Sequence, residues 1–100
     1  MIPGGLSTLK PATSETQAIV DQVKTQLEAK TNQRYTIFEA VCYCSQVVAG
    51  TNYFVKVRVG PEERDFVHLR IFKALPVYGG QVELAGFQLG KTREEPINYF

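Results

Sequence analysis
The chain reads as an α+β domain in which one amphipathic helix packs across an antiparallel sheet of four to five strands. Three observations point there. Ile19, Val20, Val23 and Leu27 recur at helical spacing and form one apolar stripe. From Tyr35 onward the period changes to two, the alternation of half-buried strands. The alternating runs also follow one another with only short connections between them, which suits hairpin-linked neighbours rather than crossovers. A chain of 100 residues has room for a single domain, residues 1–100, with one core.

Residues 1–12, rich in Gly and Pro and poor in pattern, are expected to form an extended trunk, mobile when free. The helix is expected over 13–32. Ser14 with Gln17 three residues on has the form of a capping box, and Glu15 places an anion at the positive end of the helix dipole. Asp21, Gln22, Lys24, Gln26 and Glu28 lie off the apolar stripe, and Lys30 to Asn32 supply a cation and a left-handed cap for the exit. A β-meander is expected over 35–89. In its first run, to Val48, Val41, Tyr43 and Val47 share one face and Cys42, Cys44 and Gln46 the other; Phe38 and Ala40 are out of phase, which suggests a bulge. The second, 51–59, sets Tyr53, Val55, Val57 and Val59 opposite Phe54, Lys56 and Arg58. A polar turn at 60–64 leads to a third run over 65–74, with Val67, Leu69 and Ile71 opposite Phe66, His68, Arg70 and Phe72. The connection 75–80 leads to a last strand from about Gln81 to Leu89, and residues 90–100 form a C-terminal tail.

Several function classes are disfavoured by composition. Eleven Lys plus Arg nearly balance ten Asp plus Glu, without the basic excess that nucleic acid or an anionic membrane calls for. No run has the apolar length to span a bilayer. The start, Met1-Ile2-Pro3-Gly4-Gly5, has neither a basic n-region nor an apolar h-region, so the chain reads as unsecreted, in a reducing cytoplasm. On a strand Cys42 and Cys44 would share a face with Cα atoms about 6.6 Å apart, near the limit for a bridge. Exposed there, they would give reducible crosslinks between chains under oxidising conditions. His68, on the outer face of the sheet, lies about 10 Å from them, too far for shared ligation. No metal, cofactor or catalytic residue is expected.

The connections carry the functional signal. Gln46-Val47-Val48-Ala49-Gly50 and Leu75-Pro76-Val77-Tyr78-Gly79-Gly80 put apolar residues where turns usually draw on Asn, Asp, Ser, Gly and Pro. Apolar groups displayed at a turn suit a partner with an apolar cleft. In a meander the two turns lie two strand passages apart and emerge at the same end of the sheet, about 10 Å from each other. If the N-terminal arm starts there too, three uncharged pieces line up as a wedge.

The motifs resemble those of the stefins, the intracellular branch of the cystatins, across nearly the whole chain. The string from Ser45 through Gln46-Val47-Val48-Ala49-Gly50 to Thr51-Asn52-Tyr53-Phe54 is similar to the family's central signature, and Met1-Ile2-Pro3-Gly4-Gly5 to its trunk. Pro11-Ala12-Thr13 resembles the helix entrance, Phe66-Val67-His68-Leu69-Arg70 with Phe72 and Leu75-Pro76 the approach to the second loop, and Tyr99-Phe100 the ending. Features of both the stefin A and stefin B types are mixed.

The resemblance implies a reversible, competitive inhibitor of papain-like cysteine proteases, the cathepsins B, H, L and S, and not an enzyme. It implies that Met1, Ile2, Pro3, Gly4 and Gly5 fill the cleft before the scissile bond with Gly4 as the reactive site. Gln46, Val47, Val48, Ala49 and Gly50 would cover the catalytic thiol, and Leu75 and Pro76 would brace the primed side. A cytoplasmic protein, also reaching the nucleus, is implied, active as a monomer and able to form a domain-swapped dimer by straightening Val48-Ala49-Gly50. Two departures stand out: Cys42 and Cys44 at positions commonly polar or charged, and Val77-Tyr78-Gly79-Gly80, which bears on selectivity. Two other readings remain open, a non-inhibitory interaction module on the same fold and a thiol enzyme using Cys42 or Cys44.

Overall fold
The computed structural model describes residues 6–100. Its helix, α1 (Ser14–Thr31), is capped by Thr13: the Thr13 hydroxyl accepts from the Thr16 N–H at 3.3 Å, and the Thr13 N–H donates to the Thr16 hydroxyl at 3.2 Å. The capping box therefore sits one residue earlier than the Ser14–Gln17 pair suggests. Gln17 is engaged elsewhere, its amide donating to the Phe38 carbonyl and accepting from the Ala40 N–H at 2.8 and 2.9 Å. At the other end Asn32 adopts the left-handed conformation, φ 55°, and its N–H closes on the Glu28 carbonyl. Ile19, Val20, Val23 and Leu27 are all buried, as the stripe predicts, and Thr16 joins them.

Five antiparallel strands form the sheet in sequence order: β1 (Lys10–Pro11), β2 (Glu39–Val48), β3 (Gly50–Arg58), β4 (Phe66–Lys73) and β5 (Val82–Lys91). One helix against a five-stranded antiparallel sheet is the α+β, cystatin-like architecture that the sequence predicts. The core lies between the helical stripe and Val55, Val57, Val67, Leu69, Ile71 and Leu84, with Tyr43, Tyr53, Val82 and Phe87 packed against it. The register between β2 and β3 slips between Ala40 and Cys42. That bulge explains how Phe38 and Ala40, on even numbers, reach the same core as Tyr43. β2 begins at Glu39 rather than at Tyr35, because Tyr35 is a buried core residue whose N–H donates to the Glu28 carboxylate at 2.9 Å.

The opposite face of the sheet is closed as well. Phe54, Lys56 and His68 lie there with only 0%, 5% and 1% of their surface exposed. Residues 92–100 cover them. The Lys56 ammonium donates to the carbonyls of Arg93 and Glu95, the latter at 2.7 Å. Phe54 meets Phe100 edge-on and Tyr99 at a tilt, both with ring centroids 5.6 Å apart. Arg70 lies 5.2 Å from the Tyr99 ring centre and donates to the Phe100 carbonyl at 2.8 Å. His68 thus sits on the expected face but is sealed from solvent.

Candidate functional site
β2 runs to Val48 and β3 starts at Gly50, with Val48 and Gly50 paired, so Ala49 alone spans the first turn. Gly50 makes so tight a bend possible. Its φ is +131°, and a Cβ there would stand 2.7 Å from both the Lys73 carbonyl oxygen and Phe72 Cζ. Gln46 is half-buried, and its side-chain oxygen accepts from Asn52 Nδ2 at 2.8 Å, joining the two arms of the hairpin. Of the five residues read as a displayed tip, Val47, Val48 and Ala49 face solvent, Val47 with 76% of its surface free. Gln46 and Gly50 support them from beneath.

The second turn is a short 3-10 helix, Pro76–Tyr78. Leu75 starts it: its carbonyl accepts from the N–H groups of Tyr78 and Gly80 at 2.8 and 3.1 Å. Gly79 and Gly80 close it at φ +99° and +63°. Leu75 and Pro76 are exposed, and Val77 and Tyr78 more so, at 79% and 71%. The sequence reading counted Val77 and Tyr78 in the apolar connection but assigned protease contact there only to Leu75 and Pro76. Here they extend the apolar display, and the signal for them was the run of apolar residues at a turn.

Register puts the two turns together. Thr51, next to the first bend, pairs with Lys73, and Lys73 pairs with Val82 across the second. Both turns leave the same end of the sheet, two strand spacings or about 10 Å apart. The β3–β4 connection, where Val59 and Asp65 are joined by a hydrogen bond, lies at the other end. The start of the described chain climbs toward the paired turns: Pro11 lies opposite Cys42, Lys10 opposite Tyr43, and the Ser7 N–H donates to the Ser45 carbonyl at 2.7 Å. Met1, Ile2, Pro3, Gly4 and Gly5 lie outside the described residues.

The alternative chemistry finds little support in the geometry. Cys42 and Cys44 are free thiols on the face that the tail covers, Cys44 buried and Cys42 half-buried. Neither thiol is therefore exposed as expected. Burial raises the pKa of both thiols, outweighing the Lys56 charge that acts the other way on Cys42. Lys56 stands between Cys42 and His68 in the ladder. Among the described residues no group of three His, Cys, Asp or Glu could hold a metal ion. Among them, too, no helix is long and apolar enough to cross a membrane.

A helix laid on a five-stranded meander thus presents two uncharged turns at one end, with the start of the described chain running toward them. The cystatin domain family matches residues 4–94, and the chain belongs to the cystatin family. It is similar to its stefin members. It is 52% identical to cystatin-A of Homo sapiens, 51% to cystatin-B of Macaca fuscata fuscata and 50% to cystatin-B of Homo sapiens, over 100% of each pair of chains.

Proposed function
We propose that this chain is a reversible, competitive, tight-binding inhibitor of papain-like cysteine proteases, with cathepsins B, H, L and S as its targets in the cytoplasm and nucleus. What carries the reading is the shared rim: two turns at one sheet end, both apolar and uncharged, with the described chain start running toward them. Val47, Val48 and Ala49 cover the protease's catalytic thiol, held by Gln46 and Gly50. Leu75 and Pro76 brace the primed side. Met1, Ile2, Pro3, Gly4 and Gly5 fill the unprimed cleft, where Gly4, lacking a Cβ, lets the backbone approach closely. Nothing is cleaved, because no peptide bond is held in attack geometry. The chain occludes and does not catalyse.

A preformed interface of about 1,600 Å² is the ordinary size for a protease inhibitor, and nanomolar binding needs about −12 kcal/mol. The active species is the monomer. Straightening the bend at Val48-Ala49-Gly50 would exchange α1 and β2 between two chains, bury the apolar tip and abolish inhibition. Deleting residues 1–5 tests the proposal. The affinity for papain should fall at least about tenfold, or 1.4 kcal/mol, with the thermal midpoint unchanged; papain bound equally well by the truncated chain would refute the reading.

A further inference from the structure
We propose that Phe72, which lies on β4 and belongs to none of the three projections, is the positioning residue that sets the shape of the first hairpin. The functional half of this inference rests on the inhibitory reading above.

Gln46, Asn52 and Phe72 form one row across β2, β3 and β4, on the face away from the helix. The first two are joined by the amide hydrogen bond between the hairpin arms. Phe72 reaches further toward the bend: its Cζ and Cε1 atoms occupy the space where a Gly50 side chain would begin, 2.7 and 2.8 Å from the ideal Cβ position. The ring edge therefore lies directly against the glycine that ends the turn, while the Lys73 carbonyl closes the same space from the backbone side.

This arrangement answers a problem posed by the tip itself. Val47 and Val48 are displayed to solvent and have surrendered their packing to do so. Gly50 loses more conformational freedom on ordering than any other residue type would. A bend built from these parts would sample many shapes unless something outside the hairpin held it. If only a fraction of tips were in the docking shape, apparent affinity would fall by that fraction, and the loss would appear in association. Phe72 supplies the external brace. It fixes the docking shape while staying out of the protease contact.

Two measurements on Phe72→Ala separate this claim from the inhibitory reading. Backbone 15N relaxation of the free chain at Val48, Ala49 and Gly50 should give order parameters near 0.85 in the parent and below about 0.6 in the variant. Stopped-flow binding to papain should then show association slowed at least about fivefold, with dissociation within about twofold of the parent. Unchanged order parameters in a folded, monomeric variant overturn the proposal. So does a rise in dissociation alone, the mark of a lost contact, or unaltered association despite a loosened tip. If the parent fails to bind papain, the inhibitory reading falls, and the relaxation data still decide whether Phe72 holds the bend. Should Phe72→Ala not fold, Phe72→Leu, which keeps most of the volume without the flat ring edge, is read by the same two measurements with smaller shifts.

Discussion

Gly50 shows how far a single residue's role depends on neighbours remote in sequence. In the string Gln46-Val47-Val48-Ala49-Gly50 all five positions read alike as a displayed tip, yet two are supports. The distinction is made by Asn52, Phe72 and Lys73, which reach the bend only through strand pairing. No local pattern encodes it. A Gly50→Ala substitution should therefore be costly in two ways. The φ of +131° is strained for an L side chain, and the Lys73 carbonyl, being backbone, cannot step aside the way a side chain swings. A loss of about 1–3 kcal/mol is expected, read as a lower urea midpoint at constant m-value. An unchanged midpoint would mean that the bend is not held as described. Val77 and Tyr78 make the converse point, since their apolar character at a turn was visible in sequence but their exposure needed the 3-10 turn to be built.

At the scale of elements, legibility follows locality. The helix was readable because its stripe is a repeat within 18 residues, and even its left-handed exit at Asn32 has a local cause. Its cap was misplaced by one position because Thr13 and Ser14 both suit an N-cap, and the choice falls to Thr13 once Gln17 is committed to Phe38 and Ala40. The bulge in β2 announced itself through the phase of Phe38 and Ala40. The C-terminal segment did not announce its role, having no period; Phe54, Lys56 and Arg70 order it from across the sheet.

That segment creates a pH dependence. It helps seal His68 against β3 and β5, where the groups facing it are Lys56, Lys91 and Glu95, and among the described residues neither ring nitrogen has a hydrogen-bond partner. Burial first, then Lys56 and Lys91, lower its pKa from 6.5 to about 4 against the opposing pull of Glu95. The folded state therefore binds the His68 proton less readily than the unfolded chain does. The stability this contributes is fully present above pH 6.5 and is lost as pH falls toward 4, up to about 3 kcal/mol. Thermal midpoints at pH 7 and pH 5 should differ by several degrees more in the parent chain than in His68→Phe. Equal differences in the two proteins would show that His68 does not drive the acid sensitivity.

For the whole molecule, one property organises the rest: successive hairpins alternate ends, so the first and third connections must project together. This much was legible from the number of strands alone. The covered second face was not, and it matters because it leaves most of the exposed large apolar residues at the two turns, with Leu9, Leu89 and Tyr99 the others among the described residues. Val47, Val48, Leu75, Val77 and Tyr78 are all exposed there, on a molecule with a net charge of only +1. Docking would accordingly be driven by shape and apolar area rather than by charge, and should depend little on salt. Occlusion without cleavage is tested by a titration of active-site-counted papain with the intact chain, following residual activity and the mass of the chain together. Activity should fall linearly and end near one equivalent, with the mass unchanged after prolonged incubation. Full papain activity at micromolar chain, or a chain cut during the incubation, would contradict it.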